Sequence, residues 1–246
     1  MDAPAVTRRG MRPWLAVLLK SLFGVAVFTA TVGGWAAVQH RNAMHTPLPD
    51  AGGRQGACVV WFVGSSSIAR WSTLDADMKP WIVHNRGVGG AFLPELTQRF
   101  ANEPPVMPPQ AIVFYGGDND IAKGQDPATV AAGFERFLAA KMAKMPAVPM
   151  LTMTVKPGPK RWSLRPRQQA YDAAMRRAAA RVPGLVYVDA SAGLLVDGRP
   201  GPYFQEDGVH LNAAGYRVWT KAVGAALGSA LPRTVVNQCA RRHIHI

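Results

Sequence analysis

The sequence predicts an α/β domain: a five-stranded parallel sheet covered by helices on both faces. Three observations point there. Five short, near-continuous apolar runs recur along residues 57–232, the pattern of strands buried on both sides. Helical patterns alternate with them. Polar, glycine-rich turns end the first three runs, and an open parallel sheet binds ligands beyond the carboxyl ends of its strands. The chain has 246 residues, 48% of them hydrophobic. That is enough for one domain with a large core plus an N-terminal extension.

The extension comes first. Arg8, Arg9 and Arg12 precede an apolar stretch from Trp14 to Val38, which Lys20 interrupts. A positive flank before an apolar run marks an export signal or a signal anchor. Ser21 to Val38 is close to the shortest segment that spans a bilayer, about 17–25 residues. Gly34-Trp35-Ala36 is a poor cleavage site, so an uncleaved anchor over residues 1–39 is favoured slightly over a cleaved signal. Arg8-Arg9 alone does not make a twin-arginine signal. Residues 40–56 read as a Pro/Gly/polar linker.

The domain then starts at Ala57. Strands are expected at Val59–Val63, Trp81–His84, Ala111–Tyr115, Met150–Val155 and Leu185–Asp189. Helices are expected at Phe92–Phe100, Pro127–Met145, Arg167–Val182 and Asn212–Leu231, the last with Asn212 as N-cap. Residues 233–246 read as a C-terminal tail. Cys58 and Cys239 are the only cysteines. In an oxidising compartment they can form a disulfide tying the tail to the domain, but sequence does not show that they meet.

The net charge of +13 raises nucleic acid and membrane surfaces as partners. The basic residues are scattered, with small clusters at Arg8-Arg9, Arg176-Arg177 and Arg241-Arg242. No basic stripe is interleaved with aromatics, so the charge reads as a soluble basic surface near anionic envelope polymers rather than a nucleic-acid site.

Chemistry concentrates in four places. Ser66 sits in the turn Gly64-Ser65-Ser66-Ser67 after the first strand, where a hydroxyl can face solvent. A serine is a weak nucleophile until a base takes its proton. His210 is the best base available, because imidazole titrates near neutrality. Asp207, three residues earlier, can face it and hold the tautomer; it can equally be a loop-shaping residue. Attack on an ester creates an oxyanion that needs fixed donors. The Ser66 N–H, the Gly90 N–H in Asn85-Arg86-Gly87-Val88-Gly89-Gly90 and the Asn119 side chain in Gly116-Gly117-Asp118-Asn119-Asp120 are the candidates.

These blocks resemble the SGNH hydrolases, the GDSL esterase/lipase superfamily. Ser66, Gly90, Asn119 and His210, with Asp207 three before the histidine, match its four blocks over roughly residues 57–231. Phe62 to Trp71 and Tyr115 to Asp120 are similar to a bacterial subgroup with Gly-Ser-Ser-Ser in the first block. Ser65 stands where the family name has aspartate, a position outside the catalytic roles. The resemblance implies a flavodoxin-like three-layer α/β/α sandwich with no metal and no organic cofactor. It also implies ester hydrolysis through an acyl-serine.

Other residues have two readings each. Lys156-Pro157 and Arg161-Trp162 can line a pocket for an acidic or sugar substrate, or form a solvated loop. Trp71 and Phe92 can wall an acyl pocket or pack the core. Asp118 and Asp120 read as helix caps or loop hydrogen-bond partners, and His243 and His245 as a floppy tail pair. The expected protein is an envelope serine esterase, anchored in the inner membrane facing the periplasm or exported there. Its substrate is a small-molecule, glycan or lipid ester. The rivals are an acyltransferase using the same residues and a non-catalytic binding domain.

Overall fold

The structure, a computed structural model, describes residues 13–53 and 55–244. The chain divides into two units, residues 1–45 and 46–246.

The first unit is a 33-residue helix, α1 (Pro13–His45). Leu18, Leu22, Phe23, Phe28 and Trp35 on it are exposed. The hydroxyls of Thr29 and Thr31 bond to carbonyls one turn back, which satisfies them inside the helix. No helix among the described residues is long and apolar enough to cross a membrane. The expected anchor therefore gains no support from them; Lys20 breaks the run, and Arg8, Arg9 and Arg12 lie outside the described residues.

The second unit contains a parallel sheet. Its strands are β1 (Val59–Gly64), β2 (Ile82–Gly87), β3 (Ala111–Tyr115), β4 (Met150–Met153) and β5 (Leu185–Val188). Their order across the sheet is β2-β1-β3-β4-β5, all parallel. The helices between them are α2 (Ser66–Ala69), α3 (Leu74–Asp77), α4 (Leu93–Ala101), α5 (Asp118–Ala122), α6 (Pro127–Lys144) and α7 (Arg165–Ala179). α8 (Ala213–Ala230) and α9 (Arg233–Ile244) follow the sheet. The predicted sheet and its four long helices are all present.

Alternation along the strands builds two cores. Val59, Trp61, Val63, Ile112, Phe114 and Met150 pack with Leu96, Phe100, Phe134, Phe137 and Met175 of α4, α6 and α7. Val60, Phe62, Val113, Tyr115, Leu151 and Met153 pack on the other face with Trp71, Trp219, Val223 and Leu227. Trp71 is in this second core: it is 1% exposed, stacks on Tyr216 and donates to Asp77 at 2.7 Å.

β2 runs past the predicted end at His84 and through Asn85-Arg86-Gly87. Arg86 tolerates burial because Glu103, also buried, accepts from it at 2.6 Å and Trp61 lies under its guanidinium at 3.7 Å. The segment read as a tail is helical, and Cys239 on α9 is joined to Cys58 by a disulfide, Cα–Cα 5.5 Å. The bridge closes a separation of 181 residues and restricts the unfolded chain. Replacing both cysteines by serine is expected to cost about 2–5 kcal/mol. Denaturant unfolding of the oxidised protein against the double variant checks this; coincident curves would contradict it.

Candidate active site

β1 ends at Gly64, and the chain turns at once into α2. The Ser65 N–H donates to the Tyr115 carbonyl at 3.2 Å, and the Ser65 carbonyl receives the N–H groups of Ile68 and Ala69. This turn is braced from β2, where the Asn85 side chain donates to the Ile68 carbonyl at 2.9 Å. Ser65 and Ser67 point inward and are buried, whereas Ser66 is half-buried at the rim. Among the three adjacent serines, it is the Ser66 hydroxyl that meets His210, with Oγ 2.9 Å from Nε2.

His210 is held by the loop before α8. The Asp207 Oδ1 accepts from the Val209 and His210 backbone N–H groups, both at 2.9 Å. Its Oδ2 lies 2.6 Å from His210 Nδ1. One carboxylate thus folds the loop and orients the ring. Burial opposes its charge, but the hydrogen bonds from the His210 ring and the two backbone donors outweigh it and hold the carboxyl below the usual range. Asn212 caps α8 through the Gly215 N–H at 3.0 Å, the predicted cap, and donates to the carbonyls of Pro202 and Phe204.

Arg70, four residues after Ser66, was not singled out by the sequence. Its Nη1 lies 3.8 Å from Asp207 Oδ2 and 3.2 Å from His210 Nδ1. When Nδ1 carries the proton shared with Asp207, it has no lone pair for a guanidinium donor. Arg70 then acts on this pair through charge rather than a hydrogen bond.

The other two expected donors, Gly90 and Asn119, lie on the turns after β2 and β3. Gly90 is exposed at φ +73°, a backbone state costly for other residues, and an added Cβ there would meet nothing. Gly117 is bound more tightly: its φ is +93°, and a Cβ would lie 2.6 Å from the Tyr171 ring. It starts α5, which carries Asn119. The Asn119 Nδ2 donates to the Ala91 carbonyl at 3.0 Å, which ties this turn to the Gly89-Gly90 turn.

The neighbouring aspartates do different work. Asp120 accepts from the Leu93 N–H at 3.3 Å, satisfying the start of α4. Among the described residues, the partners of Asp118's carboxylate are side chains. It is buried, accepts from Lys156 Nζ at 2.8 Å and from the Tyr115 hydroxyl at 3.2 Å, and pairs with Arg161 at 2.8 Å. Burial would raise its carboxyl, but Lys156 and Arg161 hold it below its ordinary value. Lys156 therefore does not line a pocket; it is 2% exposed and neutralises Asp118. Arg161 reaches Asn119 Oδ1 through both terminal nitrogens, each at 3.2 Å. The short helix Pro159–Leu164 also touches the other wall, where the Lys160 N–H donates to the Gly208 carbonyl at 3.1 Å.

Asp118 and Lys156 follow β3 and β4, and only the strand order of the sheet makes those two strand ends neighbours; a carboxylate at a buried strand end needs a cation nearby. Among the described residues, no group of three or more His, Cys, Asp or Glu is placed to hold a metal ion. The side chains of His243 and His245 lie outside the described residues.

A family model described as the GDSL-like lipase/acylhydrolase family matches residues 55–218. No curated protein matches the chain. A solved structure from Streptococcus pneumonia, named for platelet activating factor, superposes with TM-score 0.69 at 16% identity, covering 82% of this chain and 99% of that one. A GDSL-like lipase from Bacteroides thetaiotaomicron VPI-5482 gives 0.59 at 20% identity, over 74% and 95%. A carbohydrate esterase family 3 protein from Talaromyces cellulolyticus gives 0.54 at 17% identity, over 70% and 96%.

Proposed function

The chain belongs to the GDSL-like lipase/acylhydrolase family, a family of ester-hydrolysing enzymes, and we propose that it cleaves carboxylic esters through an acyl-serine on Ser66. The observation that carries this reading is the hydrogen-bonded line from the Ser66 hydroxyl through the His210 ring to the Asp207 carboxylate.

The roles follow from chemistry. Ser66 Oγ bonds to the acyl carbon as its proton passes to His210 Nε2. The carbonyl electron pair moves onto oxygen, and the Ser66 N–H, the Gly90 N–H and an Asn119 Nδ2–H donate hydrogen bonds to that oxyanion. Collapse breaks the bond to the alcohol oxygen, which leaves with the proton from His210. Water then repeats the sequence and releases the acid. Asp207 stays ionised and stabilises the imidazolium.

The substrate in this reading is an acetyl or short-acyl ester of an envelope glycan or of a small alcohol, or a lysophospholipid. The fold likeness to a carbohydrate esterase supports the first. The domain in this reading works in the cell envelope, exported or held there by its N-terminal segment. The Cys58–Cys239 disulfide supports an oxidising compartment.

Product analysis with p-nitrophenyl acetate in water and in excess glycerol tests the reaction class. Free acetate as the main product in both is expected. Acetylated glycerol as the main product would make the protein an acyltransferase, and absence of any turnover would leave a binding domain.

A further inference from the structure

Asn119 has one carboxamide and two demands on it. Its Oδ1 faces two N–H groups of Arg161, and its Nδ2 faces the Ala91 carbonyl. Arg161 offers only donors and Ala91 O only accepts, so these partners fix which way the amide points. Nδ2 carries two hydrogens, and one of them goes to Ala91. The other is left for a substrate oxygen.

Arg161 is itself fixed. Its Nη1 lies 2.8 Å from Asp118 Oδ2, and that carboxylate also receives Lys156 at 2.8 Å and Gln168 at 3.5 Å. Two cations on one buried carboxylate leave a positive excess. The guanidinium directs that excess at Asn119 Oδ1, polarising the amide so that its N–H groups become stronger donors. The Arg161 side chain is 19% exposed, so water screens this charge only partly.

We propose that Arg161 is a positioning residue of the oxyanion site: it locks the Asn119 amide with its N–H toward the substrate and strengthens that donor. This rests on the reading of Asn119 as an oxyanion donor. A lock of this kind acts when charge develops on the carbonyl oxygen, so it appears in kcat rather than in substrate affinity.

The test is a double-mutant cycle on p-nitrophenyl acetate with Arg161→Ala, Asn119→Ala and the pair. Asn119→Ala is expected to lower kcat by about 10²–10³-fold. Arg161→Ala is expected to lower it by roughly 10–100-fold with KM nearly unchanged, and the pair should be no slower than Asn119→Ala alone. Arg161→Lys should recover only part of the loss, because one ammonium cannot span Asn119 and Asp118. Arg161→Gln keeps an N–H donor without the charge and replaces the alanine variant if that one does not fold. Losses that multiply in the pair, or a loss confined to KM, would overturn the proposal and make Arg161 an independent or substrate-binding group. Full activity in Asn119→Ala would instead remove the oxyanion reading on which it stands.

Discussion

Ser66→Ala is expected to lower kcat for p-nitrophenyl acetate by about 10⁴–10⁶-fold, the scale seen when a serine nucleophile is removed. The size follows from the absence of a substitute. The Ser65 and Ser67 side chains are buried, at 3% and 1% exposure. The Ser67 hydroxyl finds no partner among the described residues. Among the three serines, Ser66 is the one whose Oγ stands 2.9 Å from His210 Nε2. Ser65→Ala and Ser67→Ala should therefore keep most of the activity. A steady-state assay of the three purified variants decides the matter, and comparable rates for Ser66→Ala and wild type would remove the nucleophile.

Asp207→Asn should have the next largest effect, a loss of about 10³–10⁴-fold in kcat. The amide keeps an Oδ1 that accepts from Val209 and His210 N–H, so the loop and the melting temperature are expected to change little. What changes is the ring. With an amide N–H facing Nδ1, that nitrogen becomes the acceptor and Nε2 carries the proton. Nε2–H then confronts the Ser66 hydroxyl and cannot take its proton. Because the Asp207 carboxyl is held below the usual range, the acid limb of the wild-type rate profile does not come from its protonation. Activity within tenfold of wild type in Asp207→Asn, measured near neutral pH, would contradict this account.

Much of the architecture was legible in the sequence, because strands buried on both faces leave apolar runs with little ambiguity. Val59–Val63 and Ala111–Tyr115 are such runs, and both form central strands. The edge strand was harder. Arg86 looks like turn chemistry until Glu103 and Trp61 are placed beside it, and those contacts are non-local. α2, α3 and α5 have only four or five residues each, too few to show a helical period. The convergence of Ser66, His210 and Asp207 was legible because each sits at a turn next to a recognisable element. The Arg161 brace and the Arg70 contact were not, because both depend on which strand ends are neighbours. Lys156 shows the same limit: after an apolar run it resembled a pocket residue, and strand order made it the buried partner of Asp118.

The most direct test is peptide mass spectrometry of the full chain after reaction with a fluorophosphonate, which captures an activated serine as a stable adduct. A single adduct on the peptide bearing Ser66, lost in His210→Ala, is the expected result. An adduct on a different residue, or none from a preparation that hydrolyses p-nitrophenyl acetate, would contradict the account.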